Sequence, residues 1–236
     1  IVLNTAVAEA LRQYADRLEQ ADDFESALHA LIKEEIKAHK RIIFNGNGYD
    51  DEWIREAEKR GLLNLKTTPD CLPYFLKEKN VKLFTEHKVF SEAEIRSRYE
   101  ILMENYCKVL HIEAATMLEM AKRDILPAVS AYSEELARTA KTKKSVLPGA
   151  DCTYEEKSLE KLSALSGAMF VKTDALEEAL AKAGGLEDVT EEAMYYKDSV
   201  IPAMAALRAD ADALETITAK KYWPYPSYGD LLFSVK

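Results

Sequence analysis

Glycine and proline are scarce in this chain of 236 residues, 8 and 7 respectively, while Ala, Leu, Glu and Lys dominate. So few turn formers exclude folds assembled from many short strands and favour long helices. Cysteine is also rare. Cys71, Cys107 and Cys152 form an odd, widely spaced set, which argues against a disulfide framework and for reduced thiols in the cytosol. No apolar run approaches the ~20 residues that span a bilayer, and no signal-peptide pattern opens the sequence. These absences point to a cytoplasmic protein with no membrane contact. Basic residues number 32 against 41 acidic ones, a net charge of -9. A nucleic-acid binder needs a basic surface that releases counterions, so no nucleic-acid partner is expected.

What remains is 47% hydrophobic and 31% charged, too apolar for disorder and long enough to bury a core without staples. The first residues already follow a helical pattern with no Met or cap before them, as in a piece cut from a longer protein. Leu3, Val7, Leu11, Tyr14 and Leu18 place a helix over Val2 to Gln20. Asp22 or Asp23 caps a second running to about Ile43, and Asp50 or Asp51 caps a third that Gly61 ends in the left-handed conformation. Thr68 and Pro69 open a short helix that Pro73 perturbs, and another covers Val81 to His87.

From a capping box at Ser91 and Glu94 the pattern lengthens. Ile95, Tyr99, Leu102, Tyr106, Val109, Glu113, Thr116 and Met120 form a heptad seam, resumed after a bend at Pro127 by Val129 and Leu136. A second long helix carries Leu159, Leu162, Ser166, Met169, Thr173, Leu176 and Leu180 and stops at Gly184-Gly185. A third, with a bend at Pro202, carries Val200, Met204, Leu207, Ala211, Leu214 and Thr218. Short connections make such helices antiparallel. At ~1.5 Å per residue, fifty residues give a rod of about 75 Å. The fold class is therefore all-α: a compact helical first half (1–90), long antiparallel helices forming an elongated hairpin or three-helix bundle (91–220), and an extended aromatic tail (221–236).

Chemistry-bearing motifs are few. Asn45-Gly46-Asn47-Gly48 has two glycines of a G-x-G-x-x-G loop, but Asp51 stands at the third position, a helix precedes it, and Asp50, Asp51 and Glu52 would repel an anion. Asn and Gly there serve a turn. None of His29, His39, His87 and His111 has Glu three residues before it, so the Glu-x-x-His pattern of di-metal bundles is missing. Glu25–His29 and Glu35–His39 read as solvated helix pairs. The cysteines lack zinc spacing, and no G-x-S-x-G elbow occurs. Arg138, Lys141, Lys143 and Lys144 suit a helix C-terminus. Glu113 on the seam needs a partner, a route to water, or a drift of the seam towards Ile112 and Met117. No catalytic, cofactor-binding or metal-binding residue is assigned.

Four long blocks carry a resemblance: VLNTAVAEAL, KRIIFNGNGYDDEWIREAEKRGLLNLKTTPDCLPYF, RSRYEILMENYCKVLHIEAATMLEMAKRDILPA and YWPYPSYGDLLF. Together they resemble the carboxy-terminal part of type III glutamine synthetases, over most of the chain and more weakly across 140–195. The resemblance implies a parent ligase making glutamine from glutamate, ammonia and ATP through a phosphorylated side-chain carboxylate. Mg or Mn would serve as the metal, in a dodecamer of two stacked hexameric rings. Asn4, Ala8 and Leu11 resemble the helix after the last catalytic strand, which is not in this sequence, so no catalytic residue carries over.

The expected role is thus non-catalytic: the first half supports the catalytic core, and the long helices and tail, through Trp223, Tyr225 and Tyr228, make contacts between or within subunits. For the tail, docking on its own helices is the equal alternative. The rival reading is an acidic helical scaffold that recruits a partner and has no enzymatic role. A free-standing enzyme would require the fragment itself to bind metal or nucleotide.

Overall fold

The computed structural model of the chain describes residues 1–233, and among these every regular element is helical. The chain divides into two units, Ile1–Met103 and Glu104–Lys236, the boundary falling inside one helix.

Local chemistry sets the elements of the first unit. Helix α1 spans Val2–Glu19. Asp23 caps α2 (Phe24–Ala38), its carboxylate accepting the Ser26 N–H. That helix stops short of Ile43, because the ladder tightens into a 3₁₀ turn over Lys40–Ile42. Asp50 caps α3 (Asp51–Lys59) by accepting the Glu52 N–H, and Gly61 beyond it adopts φ 71°, which costs any residue with a Cβ. α4 is Thr68–Phe75. Its cap position falls on Thr67, one residue before the expected Thr68, and Pro73 is accommodated inside it. α5 covers Glu78–Glu86. Ser91 and Glu94 form the expected box ahead of α6 (Glu92–Met120): the Ser91 N–H donates to Glu94 at 2.8 Å and the Glu94 N–H to Ser91 Oγ at 3.3 Å.

The core of this unit is Phe84 with Ile95 and Met103, each at most 1% exposed. The rings of Phe75 and Phe90 lie tilted against Phe84 at 5.3 and 5.6 Å, an arrangement contributing ~0.5–1.5 kcal/mol per pair beyond the buried area. α1 is tied down by polar contacts. Glu9 meets His87 at 2.7 Å and also accepts from Arg12 and Gln13. Tyr14 donates to Glu35 at 3.1 Å. The apolar stripe of α1 is not the tied face: Leu3, Val7 and Leu11 are 75%, 51% and 60% exposed.

In the second unit, α6 continues through a π turn, Ala121–Ile125, into α7 (Leu126–Val146). α8 runs Thr153–Ala183. α9 (Val189–Tyr195) passes through another π turn, Tyr196–Val200, into α10 (Ile201–Ile217). α8 is the central rod, packed against both α7 and α10, which makes a three-helix bundle. Both π turns end just before a proline, Pro127 and Pro202. The Leu126 N–H reaches the Ala121 carbonyl and the Ile201 N–H that of Tyr196. A proline inside a helix lacks a donor and collides with the carbonyl four residues back. Widening the ladder one turn earlier re-aims the backbone there.

Seams on α8 and on the second π turn with α10 fall where heptad spacing puts them: Leu162, Met169, Thr173, Leu176 and Leu180, then Val200, Leu207 and Leu214, are buried. On α6 the seam differs. Leu102 and Val109 are 47% and 44% exposed, and Met103, Cys107 and Ala114 are buried instead. Ile95, Tyr99, Met103 and Cys107 advance by fours, a stripe closer to an eleven-residue repeat than to a heptad. Glu113 is exposed on α6, so it has its route to water, and the seam drifts to Ala114 rather than to Ile112.

Candidate functional site

The tail makes polar and aromatic contacts with α7 and with the first π turn. α10 closes at Thr218, whose buried hydroxyl donates back to the Leu214 carbonyl at 2.7 Å. The chain then folds back over the bundle. Lys221 pairs with Glu135 on α7 at 2.6 Å, and the Tyr222 hydroxyl donates to the same carboxylate. Tyr222 also lies 5.5 Å from the ring of Tyr132, whose hydroxyl bonds Tyr154 Oη at 3.1 Å. Tyr225 donates to Asp124 at 2.9 Å, so the first π turn supplies the second anchor. Trp223 stands edge-on to Tyr225 at 6.3 Å.

These contacts leave an electrostatic signature. Lys221 and then Tyr222 hold the Glu135 carboxyl below its usual range. Burial, and then the bond to Asp124, push the Tyr225 hydroxyl up to about 12. Beyond Pro226 the tail is helical, not extended: α11 is Tyr228–Leu232, opened by a capping box in which Ser227 and Asp230 exchange bonds. Ser and Asp three residues apart supply their own nucleus despite the flanking prolines. Lys220 pairs with Asp230 at 2.8 Å, and Lys220 with Ser227 depresses that carboxyl. Of the three residues singled out in the tail, Trp223 and Tyr225 lie against their own bundle, and Tyr228 points outward, 84% exposed. Leu232 and Phe233 beside it are 71% and 82% exposed.

The glycine loop is a corner. The Asn47 side chain accepts the Tyr49 N–H at 3.1 Å and its carbonyl the Asp50 N–H at 3.2 Å. A Cβ on Gly46 would stand 2.5 Å from the Phe44 ring. Phe44 stacks on Trp53 at 4.3 Å, with the Arg60 guanidinium over the other ring. Asp50, Asp51 and Glu52 occupy the start of α3, where an anion would otherwise bind.

Elsewhere, Glu35 meets His39 at 3.0 Å as expected of a helix pair. Lys143 and Lys144 pair with Glu155 and Glu156 across the α7–α8 connection. Two histidine contacts link residues too distant for the sequence to join: Glu9–His87, and His111 Nδ1 with Tyr196 Oη at 3.1 Å. Cys107 is buried, and burial followed by the charge of Glu192 pushes its thiol up to about 11, so it is not a nucleophile at neutral pH. Among the described residues no three His, Cys, Asp or Glu side chains converge as metal ligands, and no helix is long and apolar enough to cross a membrane.

Comparison with known proteins identifies the family of this helical chain. The sequence profile of the glutamine synthetase C-terminal domain matches residues 27–144, half of the chain. A glutamine synthetase of Butyrivibrio fibrisolvens is 44% identical over 91% of this chain and 31% of its own length. The type-3 glutamine synthetase of Dictyostelium discoideum is 34% identical over 99% of the chain and 33% of its own. A glutamine synthetase of Bacteroides fragilis is 28% identical with the same coverage. The chain spans about a third of the length of these relatives. With the profile covering half its residues, and a type-3 glutamine synthetase similar over 99% of the chain, the chain belongs to the glutamine synthetase C-terminal domain family.

Proposed function

We propose that this chain is the non-catalytic helical part of a type III glutamine synthetase, an enzyme joining ammonia to glutamate at the expense of ATP with Mg or Mn. The relatives' names support the ligase. The chain's own residues support a structural role within it. The observation that carries this role is the exposed apolar residues of the first unit: Leu3, Val7 and Leu11 on one stripe of α1, and Ile32 and Ile36 on α2, 48% and 55% exposed. A monomer rarely leaves such a stripe open unless another surface covers it. Its cover in this reading is the strand-rich catalytic part of the same polypeptide. The outward Tyr228, Leu232 and Phe233 suit a contact with a neighbouring subunit of a cytoplasmic dodecamer of two hexameric rings.

The test uses the full-length protein. Phosphate release that requires glutamate, ammonia and ATP is measured with the particle mass by sedimentation. Val7→Asp should lower both activity and assembly while leaving the isolated chain as stable as before. Deleting 222–236 should reduce particle mass. A full-length protein that lacks the ligase activity refutes the enzymatic reading. Wild-type assembly and activity in both variants would refute the structural role given to these two surfaces.

A further inference from the structure

Four of the chain's six methionines line one groove of the second unit. Met117 and Met120 on α6, Met169 on α8 and Met204 on α10 enclose about 600 Å³ together with Trp223 and Tyr225 of the tail. Met117, Met120 and Met204 are partly exposed, whereas Met169, like Met103 elsewhere, is fully buried. The tail that shares this groove hangs on two side-chain anchors, Tyr225 on Asp124 and the Lys221–Tyr222 pair on Glu135. Thioethers form adaptable apolar contacts with aromatic rings, and these methionines share the groove with Trp223 and Tyr225.

We infer that Met117, Met120 and Met204 are oxidation sites for hydrogen peroxide, and that their oxidation releases the tail from the bundle. In each event a sulfur lone pair attacks one peroxide oxygen and the O–O bond breaks. The departing hydroxide takes up a proton to leave as water. Sulfur loses two electrons and peroxide gains them. The product sulfoxide is polar and chiral where an apolar, flexible chain stood. Its oxygen demands a hydrogen-bond donor or water, and the rings of Trp223 and Tyr225 lose an apolar neighbour. The cysteines do not compete in this unit, because Cys107 and Cys152 are both buried.

The experiment treats the full-length protein with hydrogen peroxide, maps each methionine by mass spectrometry, and follows amide exchange of the peptide 219–233. Met117, Met120 and Met204 should oxidise about tenfold faster than Met103 and Met169, and exchange of the tail peptide should rise by about as much. Methionine sulfoxide reductases should restore the slow exchange. The variant M117L/M120L/M204L conserves volume and should keep the tail docked in peroxide. Equal oxidation of all five positions, unchanged tail exchange after full oxidation, or a leucine variant that still releases the tail would each overturn the proposal.

Discussion

Leu176 sits at the middle of the argument for the bundle, and replacing it by alanine gives the sharpest test. Its side chain is 0% exposed, on the line of α8 that also carries Leu162 and Met169 at seven-residue spacing. α8 packs against α7 on one side and α10 on the other, so a cavity there is walled by helices that cannot collapse independently. Buried Leu→Ala changes cost ~2–5 kcal/mol, the upper end where relaxation is restricted, so about 3–5 kcal/mol is expected here. That is a large part of the ~5–15 kcal/mol that holds an ordinary domain together. Urea unfolding followed by circular dichroism at the helix band reads it directly. With a slope of about 2 kcal/mol per molar urea, the midpoint should fall by about 1.5–2.5 M. Val171, on the same helix but 66% exposed, is the control: Val171→Ala should cost under ~0.5 kcal/mol. A Leu176→Ala midpoint within about 0.3 M of wild type, or a Val171→Ala loss of equal size, would refute the assignment of faces on α8.

How far the sequence foretold this depends on the range of each interaction. Asp23, Asp50, Ser91–Glu94 and Gly61 act on backbone within three residues, and each stands where sequence spacing puts it. The seams of α8 and α10 are equally legible, because a single heptad pattern occupies each helix. α6 carries two overlapping patterns. Leu102 and Val109 continue a heptad from Ile95, but Met103 and Cys107 continue a four-residue step from the same residue, and packing chose the latter. The two prolines announce a disturbance without saying which kind; the π turn depends on neighbours that the local sequence does not contain. The tail is the extreme case. Tyr225 and Tyr222 find Asp124 and Glu135, 101 and 87 residues away, so their aromatic character was readable and their partners were not. The helix of Tyr228–Leu232 was readable in principle from Ser227 and Asp230, but hidden between prolines and aromatics.

The corner at Gly46 should accept a side chain only if the Phe44 ring moves. A methyl group would press on the Phe44 ring that stacks on Trp53, so Gly46→Ala should cost ~1–2 kcal/mol in the same urea assay, while Gly48→Ala, with open space around it, should cost less than half of that. The tail should respond to pH at both ends of the scale, for reasons of opposite sign. Glu135 and Asp230 are held below their ordinary range by lysine and hydroxyl partners, so their contribution is complete above the unfolded carboxylate value and is lost as pH falls through the depressed one. The Tyr225 hydroxyl is raised to about 12. Its contribution is complete below the unfolded value near ~10 and is lost as pH climbs towards the folded one. Fluorescence of Trp223 in a Trp53→Phe background, which leaves a single tryptophan in this chain, should therefore stay constant from about pH 5 to 9 and shift to the red on both sides. Tyr225→Phe should reduce the alkaline shift and spare the acid one; the remainder belongs to Lys221 and Tyr222, whose bonds to Glu135 raise their own titrations as well. An alkaline shift left undiminished by this substitution would mean that Tyr225 and Asp124 do not anchor the tail.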